Sequence, residues 1–136
     1  MKAIDADRTW AIVVGIDEYK GLPHLTGAAR DAVASVTWLR ALGVPDEQII
    51  LHAAPSASTK KEVEDLGLPV AGCTSGEIEE SFLSLIPRKG ARLFVFLSGH
   101  GLFELGAGEV GTALPAGLSY WRDFGARLVS ATPAMT

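Results

Sequence analysis

A largely parallel β-sheet with helices on both faces is the α/β architecture this sequence predicts. Three observations carry it: short apolar runs of strand length, helical apolar stripes between them, and connections short enough to demand right-handed crossovers. Trp10-Ala11-Ile12-Val13-Val14-Gly15-Ile16 is β-branched and apolar throughout, as a strand covered on both faces must be. Gln48-Ile49-Ile50-Leu51 is a shorter version, and Leu93-Phe94-Val95-Phe96-Leu97-Ser98 reads like the first. Between the first two, residues 28–42 carry Ala29, Val33, Val36, Leu39 and Leu42 at helical spacing, and Gly43 supplies the left-handed stop. Thr74-Ser75-Gly76-Glu77 has capping-box spacing ahead of a stripe of Ile78, Phe82 and Leu85, and Pro87 terminates that helix. Thr59-Lys60-Lys61-Glu62 has the same spacing and predicts a shorter helix ending near Gly67. Residues 53–58 and 68–73 are expected as loops, and weaker strand patterns fall at 118–124 and 126–130.

The composition fits one folded domain. Of 136 residues, 48% are hydrophobic, and 15 Gly with 7 Pro stay below the roughly 25–30% typical of low-complexity chains. A formal charge of −4 without a basic run argues against nucleic acid and anionic membrane as partners, because both require clustered Lys and Arg. No apolar run approaches the ~20 residues of a bilayer span. The single Cys73 excludes an internal disulfide and any multi-cysteine metal site, and a reducing, cytoplasmic setting is expected.

In a parallel sheet the chemistry sits beyond the carboxyl ends of the strands. Three segments become candidates: residues 17–27, His52 onward, and Ser98 onward. Ser98-Gly99-His100-Gly101 is the most informative. Glycines on both sides let the backbone approach a substrate, and an imidazole at such a turn can take and return a proton near neutral pH. The competing reading is a histidine that satisfies turn carbonyls.

Taken together, residues 11–19, then Leu25-Thr26-Gly27-Ala28-Ala29-Arg30-Asp31-Ala32, then residues 93–101, resemble the caspase/metacaspase cysteine peptidases. The resemblance covers roughly residues 9–101. It implies a three-layer αβα sandwich with a mainly parallel sheet, and a Cys–His dyad that cuts peptide bonds without a cofactor or metal. His100 matches the family's catalytic histidine, and the N–H of Gly101 matches an oxyanion-hole donor. Such a donor typically supplies about 2.7–4 kcal/mol of barrier lowering. Asp31 and Ser98 match positions lining the acidic specificity pocket of metacaspases, where a substrate Arg or Lys would pair with the carboxylate. Leu25 stands where caspases carry the arginine that binds substrate aspartate. Arg30 stands where metacaspases usually carry Asn, and it raises the question whether Asp31 is neutralised by its neighbour.

The family's nucleophile follows a strand downstream of the histidine, and no cysteine follows Cys73 here. Cys73 precedes His100, in the wrong order for the family, and reads as a bystander thiol. The expectation is a partial caspase-like domain over residues 1–136, inactive alone. Its cysteine would come from a downstream segment or a second chain, its substrate being a peptide or protein. A tail from Gly111 to Thr136 without a clear strand–helix unit points to truncation. An unpaired edge strand would promote self-association. The alternative is a non-catalytic interaction or adaptor module on the same fold.

Gly106-Ala107-Gly108-Glu109-Val110-Gly111 matches G-x-G-x-x-G, but Pro115 and Gly117 interrupt the helix that dinucleotide binding requires, so it reads as a loop. His24 and His52 read as surface residues, Glu18 as solvated, and Tyr19, Trp38 and Phe82 as packing. Glu62, Glu64 and Asp65 read as a wet helix face.

Overall fold

A computed structural model of the chain describes residues 5–19 and 21–100. The elements run β1 (Thr9–Ile16), α1 (Ala28–Ala41), β2 (Ile49–Ala54), α2 (Lys60–Glu64), β3 (Val70–Ala71), α3 (Ser75–Ser84) and β4 (Arg92–Ser98). Short 3₁₀ turns at Ala6–Arg8 and Asp46–Gln48 lead into β1 and β2. The four strands form one sheet in the order β3-β2-β1-β4, and every pairing is parallel. The two expected strands at 118–124 and 126–130, and the glycine loop at 106–111, lie outside the described residues.

β1 is apolar throughout because it is central. Ala11 pairs with Ile49 and Phe94, and Val13 pairs with Leu51 and Phe96. Its alternate side chains feed two separate cores. Ala11 and Val13 join Ala29, Ala32, Val36 and Leu39 of α1 and Val63 of α2. Ile12, Val14 and Ile16 join Ile78 of α3, with Phe82 and Leu85 packed against them. The result is three layers: α1 and α2, the sheet, and α3.

Gly15 carries no side chain where α1 crosses it. A Cβ there would stand 2.6 Å from the Ala28 carbonyl oxygen and 2.6 Å from the Ala32 Cβ. Helix and strand therefore touch backbone to backbone at the end of the sheet where the loops lie. At the far end of α1, Gly43 adopts φ +90°, its N–H donates to Arg40, and the Val44 N–H donates to Leu39. These are the paired bonds of a Schellman stop, and Leu39 and Val44 share the first core.

Four expectations are corrected. β2 runs through His52, Ala53 and Ala54, which pair with Val14, Gly15 and Ile16, so it outlasts its β-branched residues. Gln48 lies outside it, its carboxamide donating to the carbonyls of Thr9 and Ala6. Residues 68–73 are not wholly loop, since Val70 and Ala71 pair with Leu51 and His52. The capping box at Thr59 does not form: Thr59 is helical in backbone where a capping residue is extended, makes no side-chain cap, and turns its hydroxyl to the buried Asp17 carboxylate, at 2.8 Å. The Thr74 cap does form, with the Glu77 N–H donating to Oγ1 at 3.3 Å. β4 is only half-buried, and its Leu93 is exposed, because among the described residues β1 alone pairs with it.

Candidate active site

β1 and β4 end side by side, and the loops beyond them bring the candidate residues together. Asp17 comes first. It is fully buried, and its Oδ1 accepts the N–H groups of Ala28 and Ala29 at 2.9 and 3.1 Å. Gly27, the local N-cap residue of α1, has no side chain to do this, so the cap is supplied from the end of β1. Its Oδ2 accepts from the Ser56 N–H at 3.3 Å and from the Thr59 hydroxyl. One carboxylate thus joins the loops after β1 and β2, and its acceptor capacity is used inside the fold.

Asp31 lies one turn further along α1 and is exposed. The Ser98 hydroxyl donates to its Oδ2 at 2.7 Å. The two residues expected in a common pocket therefore meet, 67 positions apart in the chain. The close crossing at Gly15, register partner of Ser98, puts them within reach. Val14, Ala32, Ser35 and Phe96 help them line an open cavity of about 370 Å³. Arg30 does not neutralise Asp31: its Nε lies 3.3 Å from both carboxylate oxygens of Glu62 on α2. Glu62 is consequently an ion-pair partner, although that face of the helix is wet as expected, with Lys60–Glu64 and Lys61–Asp65 pairs.

His100 meets the loop between β1 and α1 at three points. Its Nε2 lies 2.8 Å from the carbonyl oxygen of Pro23. A carbonyl can only accept, so Nε2 carries the proton, and in the neutral ring Nδ1 is the basic nitrogen. Its backbone N–H donates to the Tyr19 hydroxyl at 2.8 Å. The Tyr19 and His100 rings stand edge to face, with centroids 4.9 Å apart. Sequence reasoning placed Tyr19 in the packing, and it does belong to the second core, but the contact with His100 was missed. The available signal was its position, three residues beyond the end of a strand whose neighbour leads into His100. Burial, above all, holds the Tyr19 hydroxyl protonated beyond its ordinary range, and the His100 N–H only partly offsets this. Gly101, the expected oxyanion-hole donor, lies outside the described residues.

The other candidates are held differently, although Cys73 lies near enough to Tyr19 to add to the rise of its phenol. Cys73 packs against the second core, and burial, followed by the nearby Glu77 carboxylate, pushes its thiol up to about 12. A thiol so held does not supply thiolate near neutral pH. His52 is not a surface residue, as expected from sequence, but fully buried inside β2. Its Nδ1 bonds the Gly72 carbonyl and its Nε2 lies 2.8 Å from the Ser81 hydroxyl, so it ties β2 to α3. His24 is exposed, its Nδ1 3.7 Å from Glu18.

A parallel α/β sandwich with a loop-held histidine and a polar pocket at the carboxyl edge of its strands defines a class of α/β domains with their chemistry at strand ends. Residues 8–124 match the caspase domain family, and the chain belongs to that family, a family of cysteine peptidases. A probable protease from a Desulfuromonadales bacterium is 29% identical over 99 residues, covering 70% of this chain. The chain spans 12% of that relative's length. No solved structure matches the chain at a significant level.

Proposed function

We propose that this domain is the histidine-bearing part of a cysteine endopeptidase with a Cys–His dyad. In this reading a cysteine other than Cys73, carried by a downstream segment or a second chain, gives its thiol proton to His100 Nδ1. The thiolate attacks the peptide carbonyl, and the imidazolium returns the proton to the leaving amine. Water then hydrolyses the thioester. The observation that carries the reading is the Nε2 contact to Pro23, which fixes the tautomer and leaves Nδ1 as the base. The family motif adds the Gly101 N–H as a donor to the oxyanion. Asp31 and Ser98 bind an Arg or Lys side chain before the cleaved bond, as in metacaspases, with Arg30 occupied elsewhere by Glu62. The substrate is a protein, and the setting is cytoplasmic.

A non-catalytic adaptor is the second reading. It draws on one observation: burial pushes the thiol of Cys73 up, away from the thiolate form. The test uses the protein expressed from its own gene and peptide reporters ending in Arg, Lys or Asp. Cleavage after Arg or Lys, blocked by a thiol alkylator and absent in His100→Ala while the melting curve is retained, is the expected result. Absence of any thiol-dependent cleavage hands the domain to the adaptor reading.

A further inference from the structure

We propose that Tyr19 is a positioning residue for His100, fixing the path of its backbone so that the Pro23 carbonyl meets one ring nitrogen and holds one tautomer. The inference rests on the reading of His100 as the general base.

The chain after β4 turns through Gly99 into His100, and the amide of His100 needs an acceptor there. Among the described residues it finds the tip of a phenol from the other loop, at 2.8 Å. That phenol is a firm anchor. Tyr19 is 6% exposed, and its ring is packed among Ile12, Val14, Ile16 and Ile78, so its hydroxyl is held by the sheet's own core. The ring adds a second restraint by lying at 65° to the imidazole. Pro23, from the same loop, holds Nε2. Backbone, ring face and ring nitrogen are thus each held by one short stretch of chain.

Gly99 supplies an independent observation. A Cβ built on it would stand 2.2 Å from the Tyr19 hydroxyl oxygen, with the next nearest atoms, on the Tyr19 ring and the Ile16 carbonyl, at 3.5 and 3.6 Å. The glycine before the histidine is therefore required by Tyr19, not by a left-handed turn. Without the hydroxyl, His100 loses its fixed amide, and the imidazole can rotate and present either nitrogen to Pro23. Tyr19 touches no reacting atom, so its effect passes entirely through His100.

Three histidines make the test direct by long-range ¹H–¹⁵N NMR of the histidine-labelled chain. In wild type, His100 is expected with its proton on Nε2. His52, which donates from Nδ1 to a carbonyl, is expected as the opposite tautomer and serves as an internal reference for the fold. In Tyr19→Phe, His52 keeps its signature while the two His100 nitrogens converge toward an averaged shift. A His100 signature unchanged in Tyr19→Phe overturns the proposal. A wild-type His100 protonated on Nδ1 overturns the catalytic reading instead. If Tyr19→Phe unfolds, seen as loss of the His52 signature, amide hydrogen exchange on wild type decides. A His100 amide as protected as those of β1 supports the contact, and free exchange overturns it. In reporter cleavage by the whole protein, Tyr19→Phe lowers kcat about 10- to 100-fold, the cost of displacing a reacting group by an ångström. KM stays unchanged, because the residue binds no substrate.

Discussion

Asp17 and Asp31 show how saturation, more than charge, separates a carboxylate spent on the fold from one with acceptor capacity to spare. Asp17 is fully buried and receives four donors, two of them the N-terminal amides of α1. An ionised carboxylate offers about four lone-pair sites, so little remains for a ligand. Asp31 is exposed and receives the Ser98 hydroxyl, which orients it and leaves acceptor capacity facing the cavity. Replacing Asp31 by Ala is accordingly expected to lower kcat/KM for reporters ending in Arg or Lys about 10- to 150-fold, the equivalent of a charge-assisted hydrogen bond of ~1.5–3 kcal/mol. The melting temperature should barely move, since the side chain is wet. Retained preference for Arg or Lys in that variant would remove Asp31 from the pocket. The Asp31–Ser98 pairing was legible in the sequence because both residues sit in recognisable motifs. Tyr19 was not, because it lies 81 positions from His100 and a buried phenol gives no local pattern that separates packing from a polar contact.

At the scale of elements, spacing identifies where helices begin, but the fold decides which side chain caps them. Thr59 and Thr74 both open a T-x-x-E stretch. Thr74 faces water beside Glu77 and caps α3. Thr59 is buried against Asp17, to which its hydroxyl donates, and its backbone is helical where that of Thr74 is extended, so its oxygen does not cap the amides of α2. Thr74→Ala is thus expected to cost about 1 kcal/mol, an ordinary lost cap. Gly15→Ala should cost more, roughly 1–3 kcal/mol, because its methyl meets the Ala28 carbonyl oxygen and the Ala32 Cβ at 2.6 Å, and neither atom can rotate away. Denaturant midpoints of the two variants check the order, and Gly15→Ala as mild as Thr74→Ala would mean that α1 can lift from β1 at little cost. Such lifting would also part Asp31 from Ser98, which ties this packing contact to the pocket. The long strands and α1 were legible because burial on both faces, or a helical stripe, shapes every residue in them. β3 was not: two residues hold no periodicity, and Val70 and Ala71 become a strand only because β2 extends far enough to pair with them.

Across the whole molecule, the sheet divides the interior into two cores of different character. The one under α1 and α2 is lined by aliphatic residues, with the β4 aromatics packed against it. The one under α3 contains two acids that are neutral when folded, Tyr19 and Cys73. This gives the molecule a directional response to alkali. Burial raises the folded pKa of both groups, Cys73 from 9.0 to about 12 and Tyr19 above 10.0. In that interval the folded state binds more protons than the unfolded one, so stability falls as pH rises. The contribution of Cys73 is fully present below about pH 9 and is lost progressively as pH rises towards 12. That of Tyr19 begins to fall above pH 10. The melting temperature is therefore expected to decline between pH 9 and 11, and Cys73→Ala should decline less steeply over the same range, whatever its starting value. The slope is the readout, because removing the thiol also removes packing against α3. Parallel slopes for the two proteins would mean that Cys73 is solvated in the folded state. It would then regain the reactivity denied to it here, and burial would no longer favour another cysteine as the sulfur of the proposed dyad.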